Sequence, residues 1–197
     1  HLWLNESFAS YFDPLYFEHT FGKDEFTNIM FNSKQVGINS DKAYGRKPIV
    51  SVGSYGSNVY SRGASVLHML RFILGDELFW KSINHYITKY QFRSVETNDL
   101  KTAIEEATGQ NLYWFFVQWV YKAGYPKFNV SYSYDDSSKT IAVAVNQTQT
   151  IDSLTGVFIT PVDIEIVCGN KSIIQRVHIA KKESTYSFSV QEKPLLV

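Results

Sequence analysis

The hydrophobic period of this chain changes once, at Gly124-Tyr125-Pro126, and that change constrains the fold more than any other feature. Before it, apolar residues recur every three or four positions, as on amphipathic helices; after it they alternate with polar residues, as on half-buried strands. Glycine followed closely by proline ends a helix, because glycine accepts a left-handed backbone and proline cannot continue the hydrogen-bond ladder. The sequence therefore predicts an α+β chain, with an all-helical portion over residues 1–125 and an antiparallel β portion over residues 126–197.

Within the first portion, Leu4, Phe8, Tyr11, Phe12 and Leu15 mark the buried face of a helix from Leu4 to about Glu18, kinked or ended near Pro14. Glu6, Ser10 and Asp13 fall on its polar side. A second helix follows Gly22, with Asp24 as its cap and Phe26, Ile29 and Met30 inward. From Gly37 to Gly56 the pattern fails among Ser, Gly, Asp and Asn, which predicts a long ordered loop of the kind that lines functional sites. Helices return from Tyr60 to Leu74, after Asp76, after a cap at Thr97 or Asn98, and from Asn111 through Trp119 and Val120.

In the second portion, Phe128, Val130, Tyr132 and Tyr134 alternate inward, and Asp135-Asp136-Ser137-Ser138 turns the chain into Ile141, Val143 and Val145. Further strand patterns run over Phe158 to Val167, Ile173 to Ile179 and Tyr186 to Val190. Their even spacing predicts part of a β-sandwich.

Charge and cysteine usage exclude several function classes. Nineteen basic and nineteen acidic side chains cancel, so no long-range field draws this chain to nucleic acid or an anionic membrane. The longest apolar stretches are too short and interrupted to span a bilayer. One cysteine, Cys168, permits neither an internal disulfide nor a cysteine-based zinc cluster. The first residues have no basic segment, apolar run or small-residue cleavage site, so they do not read as a targeting signal. A helical pattern already under way there predicts a start inside a folded element. Compartment stays open, since the triplets Asn5-Glu6-Ser7, Asn129-Val130-Ser131 and Asn146-Gln147-Thr148 match a glycosylation pattern that is frequent by chance. Oligomeric state is equally open.

Taken one at a time, the chemistry-bearing residues have ordinary readings. His1, His19, His68, His85 and His178 contain no pair one helical turn apart, so they do not make a zinc pair. Glu6, by periodicity alone, is a solvated acid. Tyr60, by the same measure, is a packing residue, although Gly63 and Ala64 beside it permit close approach of another element. There is no G-x-S-x-G elbow and no phosphate-binding glycine loop. The aromatic run Tyr113-Trp114-Phe115-Phe116 with Trp119 reads as helix core.

In order along the chain, however, four segments resemble the M1 family of zinc aminopeptidases, which are gluzincins. His1 to Phe12, H-L-W-L-N-E-S-F-A-S-Y-F, is similar to the family's W-L-N-E-G-F-A-x-Y. Val59 to Leu70, V-Y-S-R-G-A-S-V-L-H-M-L, is similar to Y-x-K-G-A-x-V-L-x-M-L. Asn111 to Pro126 resembles the helix that ends in W-x-x-x-x-G-x-P, and Asn129 to Gln149 resembles the start of the family's β-sandwich domain.

The resemblance implies the helical C-terminal part of a thermolysin-like catalytic domain followed by a β-sandwich domain, a peptide substrate and one zinc ion as cofactor. It makes Glu6 the third zinc ligand and Tyr60 the catalytic tyrosine, donating a hydrogen bond to the oxyanion formed at the scissile carbonyl. Two residues depart from the pattern: Ser7 stands where the family has glycine, and Arg62 where it has lysine. The H-E-x-x-H segment, with two ligands and the general base, and the G-x-M-E-N segment for the substrate amine are expected upstream of His1. These residues alone are then expected to be inactive and to hold zinc weakly or not at all. The alternative is a catalytically dead relative that binds peptides or proteins on the same scaffold.

Overall fold

A computed structural model of the chain describes residues 1–53 and 55–197. Two compact units divide it, His1–Gly124 and Tyr125–Val197. The first contains α1 (Trp3–Phe21), α2 (Lys23–Tyr44), α3 (Ser61–Leu74), α4 (Asp76–Tyr90), α5 (Thr97–Thr108) and α6 (Tyr113–Phe116), with a short 3₁₀ turn at Gly56–Asn58. α6 widens directly into a π turn, Val117–Tyr121, so the helix expected from Asn111 is one α turn and one π turn instead. Asn111 still marks its start, its Oδ1 accepting from the Tyr113 amide at 3.0 Å.

Packing overrides local propensity in three places. α1 runs unbroken through Pro14 to Phe21, and its buried stripe is Trp3, Ser7, Tyr11 and Pro14. That stripe is rotated from the apolar one read in the sequence: Phe12 is 40% exposed, whereas Ser7 is fully buried. Burial of Pro14 in the stripe offsets the ladder bond its ring removes. α2 continues to Tyr44 through the stretch expected to be a loop, because Gly37 passes close to the Arg62 backbone and Asp41 pairs with Arg62 at 3.5 Å. The irregular connection thus starts at Gly45; Ser54, within the predicted loop, lies outside the described residues. Caps also shift by a residue or two. Gly22 and Gly75 occupy the N-cap positions of α2 and α4, leaving Asp24 and Asp76 in the first turns, where they face the helix dipole. Glu96, in a reciprocal capping box with Asp99, caps α5.

The helical core is formed by Trp3, Tyr11, Leu67, Leu70, Phe79, Leu100, Ile104, Leu112, Phe115 and Phe116. A polar cluster ties three helices together: the Tyr11 hydroxyl meets His68 Nδ1 at 3.2 Å, and Arg71 pairs with Glu18 at 3.1 Å and Asp76 at 2.7 Å.

In the second unit, β1 (Phe128–Asp135), β2 (Thr140–Gln147) and β5 (Glu183–Ser189) form one antiparallel sheet in the order β1-β2-β5; β3 (Thr160–Cys168) and β4 (Lys171–Ile179) form another. Both sheets contribute to one core of Ile141, Val143, Val145, Ile166, Cys168, Val177, Ile179 and Val190. β2 carries the expected alternation. β1 does not, because it is an edge strand, and Phe128, Val130 and Tyr132 stay exposed. Buried Gln147 and Gln149 act in place of a further ladder: Gln147 accepts from the Phe158 amide at 2.9 Å and donates to its carbonyl at 2.8 Å, and Gln149 donates to Gln147 at 2.9 Å.

Candidate active site

The two residues singled out by sequence come from different helices and meet. Glu6 lies in the first turn of α1, half-buried. That turn is anchored from outside: the Trp3 indole donates to Thr97 Oγ1 at 2.8 Å, and the Thr97 amide donates to His1 Nδ1 at 3.0 Å. His1 is therefore committed to the start of α5 and does not join Glu6. Tyr60 is the N-cap of α3, with φ −90° and ψ −82°, and its carbonyl accepts the first helical bond, from Ala64, at 2.9 Å.

The contact between α1 and α3 is unusually close. Ser7 Oγ, fully buried, donates to the Val59 carbonyl at 2.6 Å. Opposite it, a β-carbon on Gly63 would sit 1.7 Å from Ser7 Oγ and 2.7 Å from Ser7 Cβ, so only glycine fits there. This approach brings the Tyr60 hydroxyl into electrostatic range of the Glu6 carboxylate and of Tyr55, whose ring packs edge-on against that of Tyr60 at 6.1 Å. The Tyr60 pKa is pushed up to about 12, first by the neighbouring Tyr55 hydroxyl, then by burial, then by the Glu6 carboxylate and its charge. The phenol thus stays a proton donor across the pH range in which a protein works.

Arg62 points away from this pair. Its guanidinium reaches the carbonyls of Lys47 at 3.1 Å, Gly124 at 3.2 Å and Lys122 at 3.4 Å, beside Asp41. Burial pulls its pKa down and the Asp41 charge opposes that. A planar fork makes this set of contacts, which explains an arginine here without any role at Glu6 or Tyr60. The connection after Gly45 is held from the same side, the Ile49 and Val50 amides both donating to Val120 O, at 3.0 and 3.2 Å.

Chemically, a carboxylate beside a protonated phenol offers one hard ligand for a cation and one donor for an oxygen that gains negative charge. Among the described residues no group of three or more His, Cys, Asp or Glu side chains could hold a metal ion. Sequence reasoning passed over Tyr55, which carries no motif of its own, and recorded Ser7 only as a departure from a pattern; Gly63 was the signal that a second element comes close.

A family model described as the peptidase family M1 domain matches residues 1–119. Aminopeptidase M1-A of Oryza sativa subsp. japonica is 33% identical over 138 residues, covering 66% of this chain and 16% of that protein. Glutamyl aminopeptidase of Sus scrofa is 30% identical over 138 residues, with 66% and 15% covered. Probable aminopeptidase 1 of Saccharolobus solfataricus is 28% identical over 134 residues, with 64% and 17% covered. The chain thus spans about a sixth of the length of these relatives. Among solved structures, Legionella pneumophila aminopeptidase A in complex with aspartic acid matches with a TM-score of 0.74 at 15% identity, over 98% of this chain and 22% of that one, a likeness of fold. No helix of the described residues is long and apolar enough to cross a membrane.

Proposed function

This chain belongs to peptidase family M1, and from that premise we propose that it is part of a zinc-dependent aminopeptidase that removes amino-terminal residues from peptides. Residues 1–125 are then the helical part of the catalytic domain and residues 126–197 a β-sandwich domain. The observation that carries the reading is the meeting of Glu6 and Tyr60, two residues on separate helices that the family motifs single out together.

Glu6 supplies one carboxylate ligand to zinc, beside two ligands that these 197 residues do not contain, since no H-E-x-x-H occurs in them. When bound, zinc supplies Lewis-acid polarisation of the scissile carbonyl and an activated water. Tyr60, held protonated, donates to the oxygen of that carbonyl as negative charge develops on it. Both departures from the family pattern leave the pair intact: Ser7 is accommodated by Gly63, and Arg62 faces the far side of α3. This favours an active enzyme over a binding scaffold. The 197 residues alone are inactive.

The test is an aminopeptidase assay on the full-length protein with and without a chelator, together with the metal content of Glu6→Ala. The reading expects hydrolysis that a chelator abolishes and zinc restores, and a Glu6→Ala protein that retains little zinc. A zinc-replete protein that cleaves no amino-terminal residue would leave only the scaffold role.

A further inference from the structure

The peptide unit joining Val59 to Tyr60 is held at both ends. Its carbonyl, on Val59, accepts from Ser7 Oγ at 2.6 Å, and its amide, on Tyr60, donates to Gly56 O at 3.2 Å. A peptide unit is planar, so fixing both its polar groups fixes its orientation and the position of the Tyr60 α-carbon, and with the observed φ of −90° the direction in which the side chain leaves the backbone. Ser7 directly follows Glu6, and Val59 directly precedes Tyr60. The hydrogen bond therefore joins α1 to the segment leading into α3, one residue away from each member of the pair.

We propose that Ser7 is a positioning residue for the reaction: its buried hydroxyl orients the Val59–Tyr60 peptide and so sets the Tyr60 phenol opposite Glu6, with Gly63 the residue that makes room for it. Glycine, the family's residue at this place, has no hydroxyl with which to do this. The Ser7–Gly63 pair acts as one unit. Rotating Oγ away would not admit a side chain at residue 63, because Ser7 Cβ itself would lie 2.7 Å from it. The proposal rests on the oxyanion role of Tyr60.

A double-mutant cycle in the full-length, zinc-loaded protein tests it, with Ser7→Ala, Tyr60→Phe and the pair compared for kcat, KM and zinc content. Ser7→Ala keeps the β-carbon against Gly63 and removes only the hydroxyl; Ser7→Gly serves as a second variant if alanine folds poorly. The expected result is a fall in kcat of roughly tenfold for Ser7→Ala, less than the hundredfold that a misplacement of one ångström can cost, with KM and zinc content unchanged. In the Tyr60→Phe background the same substitution produces no further loss, because the group it positions is gone. An unchanged kcat in Ser7→Ala, or an equal loss in both backgrounds, overturns the positioning role and leaves the role of Tyr60 standing. Full kcat in Tyr60→Phe overturns both.

Discussion

In the helical unit the contacts that set geometry run from side chains to partners far along the chain: Ser7 to the Val59 carbonyl, Trp3 to Thr97, Tyr11 to His68 and Arg62 to Gly124. In the β unit they run backbone to backbone, through ladders of eight paired residues between β1 and β2 and nine between β3 and β4. A ladder fixes register whatever the outward side chains are, so the exposed face of a strand is free to vary. A helix pair has no such ladder, and its separation is whatever the interlocked side chains allow. The candidate chemistry lies in the unit where side chains decide distance. Glu6 and Tyr60 meet because a buried serine opposes a glycine, not because a backbone pattern requires it.

The comparison can be broken most forcefully in the β core. Ile141, fully buried at the centre of the three-stranded sheet, should cost about 2–5 kcal/mol when cut to alanine, the usual range for a large aliphatic side chain leaving a cavity. Hydrogen exchange should show the loss as faster exchange of β2 amides. Trp3, Trp80, Trp114 and Trp119 all lie before residue 125, so tryptophan fluorescence reports the helical unit separately. A substitution in α1 or α3 that moved the β2 amides as much as Ile141→Ala does would contradict the division of labour.

Gly63→Ala comes next. Its new methyl group must displace Ser7 and with it the α1–α3 contact, at a cost of about 1–3 kcal/mol, as for overpacked cores in general. The cost should largely vanish in Ser7→Gly/Gly63→Ala, where the nearest remaining Ser7-position atom is the α-carbon, 3.7 Å away. Denaturant unfolding of the single and double variants measures both. Equal destabilisation with and without Ser7 would show that the pair is not the element that sets the helix separation.

How far the sequence reveals these features follows the same division. The change of period at Pro126 and the strand β2 were legible because alternation and helical recurrence are properties of hydropathy alone. The buried stripe of α1 was not, since Ser7 is polar and only the absence of a side chain at Gly63, half the helical unit away in sequence, lets it enter the core. α2 outruns its sequence signal because the pairing of Asp41 with Arg62 and the closeness of Gly37 to α3 are tertiary effects. Glu6 and Tyr60 were visible through motifs, never through periodicity, which marks one as a solvated acid and the other as packing. Tyr55 carries neither signal.

The smallest expected effect is in acid. Burial, chiefly, holds the His68 pKa below its ordinary 6.5, in surroundings that include Arg71, Glu18, Asp76, Lys23 and the Tyr11 hydroxyl. Between 6.5 and the folded value the unfolded chain binds more protons than the folded one, so this stability is complete above pH 6.5 and is lost as the pH falls through the folded pKa. Asp76, lowered by Arg71, adds a loss of the same sign at lower pH. In the β unit, Asp135 is held at about 2 by Ser137 and Ser138, so its contribution persists until the pH drops below its ordinary 3.8. On acidification the tryptophan signal should therefore change before β2 amide protection does. The reverse order would show that the His68 cluster does not limit the helical unit.

The most direct test of the account is Tyr60→Phe in the full-length, zinc-loaded protein, because it removes one oxygen atom and nothing else from the meeting of α1 and α3. The account predicts a fall in kcat of about 10²–10³, the usual cost of losing an oxyanion donor, with zinc content and fold unchanged. Undiminished kcat at full zinc occupancy would contradict it.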